Sequence, residues 1–522
     1  MSHISTNNAS LLEVTKSTTV TNSAQLTTTD SIQRNLRKDE LQVVDQVDAD
    51  DGEIHSKVKA AESTRRVNFS HIYPIHSVSR ASILSRESTT PAPSFVGFRN
   101  LGMIILLFGN VRLAIENYQK YGVLIRFSNF GISRSDLYWS TVLTATIPLH
   151  LFVAVVIERM VAMPTLKYIS LLRQNVKKGD GRTPLKPRQK YLWRLAVVLH
   201  SINAIVCLVF ATVIVYTRID HPLIGTPCEL HALILCLKVA SFALTNRDLR
   251  ETLLTPVASV PTLYNTATYP SNLTFKNVAY FWWAPTLVYQ PVYPRSPSFR
   301  PMFFAKRVLE IVASTFMMYF LTVQYAVPIL ENSLSHIHNV HIFGITERLF
   351  KLGTMCMIIW LFGFFSVFQS GLNALAEVMK FGDREFYDDW WNSRSVGEYW
   401  RLWNKPVTNY FRRHIYVPLV RRGWNSRSAS FMVFFVSAIL HEIAVGVPTH
   451  HINGTAFWLM LLQIPLIQVT APFEKITNPS TGTIGNCIFW FSFFIGQPTG
   501  LLIYYFTWNL NHGKLQNLVN ES

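Results

Sequence analysis

Charged residues are scarce in this sequence. They make up 15% of its 522 residues, whereas about a quarter is usual in a soluble domain. Apolar residues supply 49%, aromatic residues supply 13%, and the mean hydropathy is +0.20. This deficit of charge argues against an ordinary soluble domain and favours a protein embedded in a membrane.

Cysteine is rare too, and it forms no pattern. The five cysteines include no CxxC pair, so we predict neither a disulfide framework nor a zinc site. His336, His338 and His341 lie close together but lack cysteine or acidic neighbours, and we therefore predict no metal site there. The first twenty residues contain no apolar segment, so we expect no signal peptide.

Long apolar segments are what the sequence does contain. Residues 1–95 are polar and predict a disordered tail, and residues 511–522 predict a second, short tail. Between them, nine segments are long and apolar enough to cross a bilayer. They are 98–117, 136–162, 191–217, 222–245, 305–330, 342–379, 428–448, 455–474 and 483–509. We therefore predict an all-α polytopic membrane protein with about nine transmembrane helices.

The loops predict the orientation of the chain. The segment 167–190 is rich in lysine and arginine and contains a single acid, Asp180, which is typical of a cytoplasmic loop. Because it follows two crossings, we expect the N-terminus to be cytoplasmic and the C-terminus lumenal. The basic segments 246–304 and 380–427 then fall on the cytoplasmic side as well. This placement accounts for the net charge of +17 without a nucleic-acid partner, and we expect none.

The segment 380–427 is unusually long for a loop between spans, and it alternates aromatic residues with arginines. Such a pattern suits a ligand that combines an aromatic base with phosphates, for example coenzyme A. An interfacial amphipathic helix with a tryptophan belt explains the same pattern without any ligand. Both interpretations stay open on pattern alone.

An ionisable pair lies inside the seventh predicted span. His441 and Glu442 follow an apolar run, and ionisable groups at membrane depth are costly enough to suggest a function. A neutral histidine in a dry cavity can take a proton from an alcohol. On a helix, Ser437 lies on the face of His441, whereas Glu442 lies about 100° away. The alternative is a packed histidine bonded to a neighbouring helix, and we expect that role for His150, His200 and His231.

Several motifs resemble one known family. Phe386-Tyr387-Asp388-Asp389-Trp390-Trp391-Asn392 resembles the FYxDWWN box of sterol and diacylglycerol O-acyltransferases in the membrane-bound O-acyltransferase (MBOAT) superfamily, and His441 resembles its intramembrane histidine. The resemblance is closest to the type-1 diacylglycerol O-acyltransferases. It rests further on Leu372–Glu377, Lys380–Glu385, Ala284–Leu287, Tyr293–Pro297 and Ile495–Pro498.

The resemblance implies helices of MBOAT type around a buried reaction chamber, in which acyl-CoA meets diacylglycerol. His441 is then the general base and Asn404 the second catalytic residue, while Ser437, Glu442 and Gln497 line the chamber. The implied acyl-CoA contacts are Trp390, Trp400, Trp403, Tyr416, Arg421, Arg422 and Arg427. The box itself contributes Phe386, Tyr387, Asp389, Trp391 and Asn392 as motif residues.

The resemblance also implies residence in the endoplasmic reticulum membrane, contact with membrane lipid, a homodimer or homotetramer, and acyl-CoA as co-substrate without any permanently bound cofactor. Gln290 and Thr408 depart from the family pattern, which limits what it says about fine specificity. Two other functions stay open. A sterol is an alternative acceptor for the same chemistry, and a transporter with a proton relay through His441 and Glu442 is a more distant one.

Overall fold

The computed structural model describes residues 96–125, 131–177, 187–253, 264, 267–333, 342–475 and 479–511. These described residues are mostly helical, with no strand beyond an isolated antiparallel bridge between Arg295 and Phe381. The predicted tail 1–95 and all but the first residue of the predicted tail 511–522 lie outside the described residues. The all-α prediction is confirmed for the part of the chain that is described.

Nine of the described helices are long and apolar enough to cross a membrane, which confirms the predicted number. The first to ninth spans are Asn100–Tyr121, Arg134–Ser170, Lys190–Arg218, Pro222–Thr252, Pro301–Glu331, Ile342–Val378, Ser426–Gly446, Thr455–Glu474 and Thr483–Thr507. Shorter helices lie between them and are named α1 (Phe275–Trp283), α2 (Val396–Leu402), α3 (Lys405–Phe411) and α4 (Val417–Arg421). The orientation of this set in a membrane stays a prediction.

Several spans are built from more than one helical segment. The helix bounds within the spans are Val96–Tyr121, Arg134–Thr146, Leu149–Lys177, Pro187–Arg218, Pro222–Thr252, Pro301–Leu321, Val327–Glu331, Ile342–Phe364, Leu372–Val378, Ser426–Gly446, Thr455–Leu461, Gln463–Lys475 and Pro479–Asn511. Wider π-helical turns interrupt the fifth and sixth spans at Thr322–Ala326 and Phe365–Gly371, and a third one, Arg412–Tyr416, joins α3 to α4.

Proline explains two of the three π-helical turns. Pro328 and Pro418 each follow such a turn, and a proline offers no N–H to the carbonyl four residues earlier. The extra residue of a π turn moves that carbonyl away from the ring. At Pro328 the freed carbonyl belongs to Gln324, and it accepts a hydrogen bond from Asn117 Nδ2 at 3.1 Å. The turn in the sixth span contains no proline.

The second, third and fourth spans are joined through a buried carboxylate. Glu158 Oε1 accepts a hydrogen bond from Arg250 Nη1 at 2.5 Å and another from the Tyr269 hydroxyl at 2.8 Å, while His200 Nε2 lies 3.3 Å from Oε2. Glu158 and Arg250 are each 1% exposed. An ion pair buried this deeply is strongly coupled to the fold, since removing one partner leaves an uncompensated charge.

A polar stripe on the fourth span anchors the chain that follows it. The Lys238 ammonium donates to the carbonyl oxygens of Phe281, Trp282 and Ala284 at 2.7 to 2.9 Å, and so it satisfies carbonyls at the C-terminal end of α1. One turn later, Ser241 Oγ accepts from the backbone N–H of Tyr289 at 2.8 Å. The fourth span thereby fixes the segment that carries Ala284–Leu287.

The first helix, Val96–Tyr121, belongs to two compact units. One unit reaches Leu106 and the other runs from Leu107. Within the second unit, the Gln324 side chain amide donates to Asn117 Oδ1 and to the carbonyl of Gly122. No residue in the apolar window of this first span is buried.

Candidate active site

The FYxDWWN-like box forms a compact turn in front of α2. The backbone N–H of Asp388 donates to the Leu402 carbonyl at 2.9 Å, and the N–H of Lys405 donates to the Phe386 carbonyl at 3.0 Å. Two hydrogen bonds therefore tie the box to the C-terminal end of α2 and to the start of α3. The box fixes where α3 begins, and α3 begins directly after Asn404.

Aromatic packing holds the box in place. Trp390 is 2% exposed and lies among Trp360, Phe364, Tyr399 and Phe489. Protein covers almost the whole Trp390 side chain, and its contact with acyl-CoA stays a prediction. The sequence pattern could not separate a packed tryptophan from a ligand-binding one, since both are aromatic residues in a polar loop.

The other motif residues of the box differ in burial and in their hydrogen bonds. Phe386 is 3% exposed, and the Tyr387 hydroxyl donates to Gln369 Oε1 at 2.5 Å. Asn392 Nδ2 donates to Asp389 Oδ2 at 3.3 Å within the turn. Trp391 is 45% exposed, while its carbonyl accepts from two side chains of the ninth span. The box is therefore mainly a structural joint between the sixth span, the ninth span and α2.

Asn404 caps the N-terminus of α3. Its Oδ1 accepts a hydrogen bond from the backbone N–H of Val407 at 3.2 Å. The cap uses the acceptor side of the amide, whereas Asn404 Nδ2 donates to no described residue. An amide held in this way keeps two N–H groups for a ligand oxygen.

His441 has one ring nitrogen fixed and one free. Its Nδ1 lies 2.7 Å from the carbonyl oxygen of Ser437 and 3.3 Å from the hydroxyl oxygen of the same residue. A carbonyl only accepts, so Nδ1 carries the hydrogen and donates it. The proton-free nitrogen is then Nε2, which has no partner among the described residues. This tautomer is the one in which Nε2 acts as a base.

His441 is exposed, and its neighbours show which face of the seventh span it occupies. Phe434 lies about 20° from it on the seventh span and packs edge-on against Trp400, with ring centroids 5.9 Å apart. Ile439, which is 40% exposed, lies about 160° from His441 on the outer side of the helix. His441 therefore lies on the face of the seventh span that packs toward Trp400 through Phe434, and the interior space that His441 would border there stays a prediction.

A small apolar cluster joins α3 to the seventh span. Val407, Tyr410 and Phe411 pack in the same cluster as Val436 and Leu440. Because Asn404 binds the N–H of Val407 and His441 follows Leu440, the cluster brings both predicted catalytic residues to adjoining elements. The structure thus places these two residues, which lie 37 positions apart in the sequence, on elements that pack against each other.

The three predicted lining residues differ in their surroundings. Ser437 is 7% exposed and contacts His441 directly. Glu442 accepts hydrogen bonds from the backbone N–H groups of Gly454 and Phe457 and from the Tyr504 hydroxyl, at 2.8 to 3.2 Å. Its carboxylate therefore fastens the eighth and ninth spans to the turn that holds His441. Gln497 is half-buried on the ninth span, and its lining role stays a prediction.

The arginine-rich C-terminal end of the segment 380–427 is accessible. Arg421, Arg422 and Arg427 are exposed and Tyr416 is half-buried, so a phosphate can reach them. Trp400 donates from Nε1 to Gln463 Oε1 at 3.4 Å, and Trp403 stacks on Tyr399 with ring centroids 5.7 Å apart. Both tryptophans are half-buried. Contact with acyl-CoA stays a prediction for all six residues.

His414 connects the π-helical turn Arg412–Tyr416 to the fourth span. Ser241 Oγ accepts the Tyr289 N–H and also shares a hydrogen bond with His414 Nε2, at 2.8 Å. Burial and the neighbouring Arg413 charge lower the pKa of His414 to about 4. The ring is therefore neutral at physiological pH and ties the π-helical turn at Arg412–Tyr416 to the fourth span.

Comparison with known proteins decides the family. The family model described as MBOAT, membrane-bound O-acyltransferase family, matches residues 230–507. The chain is 34% identical to Diacylglycerol O-acyltransferase 1B of Glycine max, over 94% of this chain and 93% of that protein. It is 37% identical to Diacylglycerol O-acyltransferase 1C of Glycine max, over 83% and 78%, and 32% identical to Diacylglycerol O-acyltransferase 1 of Bos taurus, over 79% and 80%.

The chain belongs to the membrane-bound O-acyltransferase family. This membership confirms the resemblance inferred from the box and from the intramembrane histidine, and it makes the chain an acyltransferase. The transporter alternative is not favoured. The MBOAT match begins in the fourth span and includes both Asn404 and His441.

Sequence analysis missed other polar residues of this MBOAT chain. Glu158, Glu229 and Lys238 lie within apolar spans, and each is at most 3% exposed. The rule that singled out His441, that an ionisable group at membrane depth is costly, applies equally to them. It could have found all three. The pairing of Lys405 with Asp388 and Glu385 carried no comparable signal, since exposed loops are rich in such residues.

Proposed function

We propose that this protein transfers the acyl group of acyl-CoA to the free hydroxyl of diacylglycerol and so makes triacylglycerol. The observation that carries the proposal is the fixed tautomer of His441, whose Nδ1 is bonded to the Ser437 carbonyl and whose Nε2 has no partner among the described residues. The three similar diacylglycerol O-acyltransferases support the choice of acceptor.

The proposed reaction is a single acyl transfer. His441 Nε2 removes the proton from the acceptor hydroxyl while the hydroxyl oxygen attacks the thioester carbonyl carbon. The carbon–sulfur bond of the tetrahedral intermediate then breaks. The departing coenzyme A thiolate receives the proton from the imidazolium, which restores neutral His441. The proton that leaves the acceptor hydroxyl thus ends on the thiol of coenzyme A.

Asn404 would stabilise the charge that develops on the thioester oxygen. Its Oδ1 is held by the α3 cap, so the Nδ2 hydrogens remain as donors. A donor fixed before the reaction costs no reorganisation when the oxyanion forms. Ser437 would act before the reaction begins, because its carbonyl holds the His441 imidazole in its orientation. Exclusion of water from the interior space would protect the thioester from hydrolysis.

Acyl-CoA would arrive from the cytosolic side along the segment 380–427. Trp400, Trp403 and Tyr416 offer aromatic surface for the adenine or the pantetheine, and the exposed arginines Arg421, Arg422 and Arg427 suit its phosphates. We also infer an endoplasmic reticulum membrane location with a cytoplasmic N-terminus and a lumenal C-terminus. Assembly as a homodimer or homotetramer belongs to the same proposal.

One assay tests the acceptor directly. Purified protein in detergent receives labelled oleoyl-CoA with diacylglycerol or with cholesterol, in separate reactions. We expect labelled triacylglycerol from the first reaction and no sterol ester from the second. Sterol ester without triacylglycerol would keep the chemistry and overturn the acceptor. Labelled free oleate alone would show that water, rather than either lipid, takes the acyl group.

A further inference from the structure

Three separate segments of the chain meet at Ser241. Its Oγ accepts the backbone N–H of Tyr289 at 2.8 Å and shares a hydrogen bond with His414 Nε2, also at 2.8 Å. Ser241 is 0% exposed. The fourth span thereby holds both the chain that follows α1 and the π-helical turn Arg412–Tyr416. The proposed proton transfer uses neither Ser241 nor His414.

The π-helical turn lies between the two halves of the proposed site in the segment 380–427. α3 precedes the turn and begins directly after Asn404, whereas α4 follows the turn and ends at Arg421. Tyr416 is the last residue of the turn itself. The turn therefore determines how the proposed acyl-CoA contacts Tyr416, Arg421 and Arg422 are oriented relative to the proposed oxyanion donor.

The turn has an alternative arrangement. In the structure the Val417 N–H donates to the Arg412 carbonyl, which is the five-residue spacing of a π turn. An ordinary α turn would pair the same N–H with the Arg413 carbonyl instead. Pro418 permits the wider turn but does not hold it, because a proline only removes a competing N–H. Since one residue of difference rotates the following helix by about 100°, the spacing decides which way α4 presents its arginines.

His414 lies in the middle of the turn and is held from two sides. Its ring packs against the ring of Tyr410 in α3, with centroids 4.8 Å apart. Its Nε2 is bonded to Ser241 on the fourth span. Tyr410 itself belongs to the apolar cluster that joins α3 to the seventh span. These contacts fix the middle of the turn relative to α3 and to the fourth span.

We propose that His414 is a positioning residue for acyl-CoA. Its hydrogen bond to Ser241 keeps the turn in the π-helical form. That form places Tyr416, Arg421 and Arg422 where the nucleotide end of acyl-CoA binds. This inference rests on the proposed function and adds to it two residues that touch neither substrate. Because the nucleotide takes no part in the chemical step, the loss of the bond should change the KM for acyl-CoA rather than kcat.

The first test removes the hydrogen bond and keeps the ring. His414→Phe preserves the packing against Tyr410 but cannot bond Ser241. We expect the KM for oleoyl-CoA to rise about fivefold, the value of one hydrogen bond between neutral groups, with kcat and the KM for diacylglycerol unchanged. His414→Gln should restore the KM to within about twofold of wild type, because an amide can donate to the Ser241 hydroxyl or accept from it.

A truncated acyl donor gives the sharper readout. Oleoyl-pantetheine has the thioester and the acyl chain of oleoyl-CoA but lacks the nucleotide and its phosphates. For the wild type, we expect the KM of oleoyl-pantetheine to exceed that of oleoyl-CoA by about tenfold or more, since bonds to charged phosphates are lost. For His414→Phe this ratio should be about fivefold smaller. A loss of folded protein lowers the rate with both donors and leaves the ratio unchanged.

His150 provides the matched control. Its Nδ1 lies 2.8 Å from Asn203 Oδ1, so it too is a histidine that bonds a polar side chain on a neighbouring span. The two residues belong to the second and third spans and not to the segment 380–427. His150→Phe removes a hydrogen bond of the same kind, and we expect it to lower the melting temperature without changing the donor ratio.

A second variant tests the same bond from its other partner, and it serves also if His414→Phe does not fold. Ser241→Ala changes a residue of the fourth span and leaves the segment 380–427 intact. We expect the donor ratio to fall by about the same factor as in His414→Phe. The double variant should show no further fall, because both changes remove the same hydrogen bond.

The outcomes separate this inference from the function on which it rests. No triacylglycerol from the wild type would overturn the proposed function, and this inference with it. Triacylglycerol with equal KM values for the two donors in the wild type would overturn the inference alone. So would a donor ratio that is the same in the wild type, in His414→Phe and in Ser241→Ala.

Discussion

The second to fourth spans and the predicted catalytic site both place polar groups inside apolar surroundings, but they use them differently. The Glu158 carboxylate receives Arg250 and Tyr269, and all three Lys238 protons meet carbonyl oxygens. His441 and Asn404 each use one side in a local hydrogen bond and leave the other side without a described partner. Arg250 Nε and His200 Nδ1 also lack a described hydrogen-bond partner, but both side chains are buried, whereas His441 is exposed. Only the second arrangement therefore leaves an accessible group ready to act on a substrate.

The comparison predicts two kinds of mutational effect. A polar group whose bonding capacity is filled by protein should affect stability when removed, because its partners are left buried and unpaired. A group with spare capacity that faces an accessible space should affect rate, because the missing bond is made only with the substrate. Variants in the second to fourth spans should therefore change the stability of the protein, and variants at the predicted catalytic site should change its rate.

The largest expected effect is at His441. Loss of the base in His441→Ala should lower kcat by about 10² to 10⁴, with a melting temperature close to that of the wild type. His231→Gln is the control, because His231 also lies in a span but accepts from Trp282 Nε1, and activity should stay within a few fold. Substantial turnover by His441→Ala would show that another group takes the proton.

Asn404 should come next, and its two roles are separable. Asn404→Ser keeps a side chain that caps α3 but loses the amide donor, and we expect kcat to fall about 10² to 10³ with little change in stability. Asn404→Ala should lose the same rate and about 1 kcal/mol of stability as well. If Asn404→Ser had normal kcat, the residue would be a cap and nothing more.

Arg250 tests the stabilising side of the comparison. Arg250→Met leaves Glu158 buried without its cation, which should cost about 3 to 5 kcal/mol, measured as a lower melting temperature in detergent. The activity of the remaining folded protein should stay near normal. Arg247→Met is the control on the same helix, because its ion pair with Asp248 is exposed and is worth about 0–1 kcal/mol. A fall in kcat without loss of stability would place Arg250 among the catalytic groups instead.

The sequence predicted the spans well because a bilayer imposes length and apolarity on each one separately. The same reasoning singled out His441, since an ionisable residue in an apolar run is conspicuous, and its role as the base stays a prediction. At Trp390 the sequence could not distinguish a ligand contact from core packing. A tryptophan beside arginines suits a ligand or a core equally well, and only the packing with Trp360 and Tyr399 distinguishes them. Pairings between distant segments, such as Arg307 with Ser370 through Glu310, have no signature in one sequence.

The smallest expected effect is at Lys405, which follows Asn404 and binds Asp388 and Glu385. Lys405→Met should lower kcat only a few fold, because the Lys405 backbone N–H still donates to the Phe386 carbonyl. A double-mutant cycle on stability, with Asp388→Asn as the second change, should give a coupling free energy of about 0–1 kcal/mol.

The pH dependence of that coupling has a definite sign. Burial alone would lower the pKa of Lys405, but its bonds to Asp388 and Glu385 outweigh this and raise it. A raised pKa means that the ion pair stabilises the fold below the ordinary lysine range and weakens only as the pH rises through the folded value. The coupling should therefore stay constant from pH 6 to about 9, below the ordinary lysine pKa. A coupling that disappears within that range would show that the pKa of Lys405 in the folded protein is lowered rather than raised.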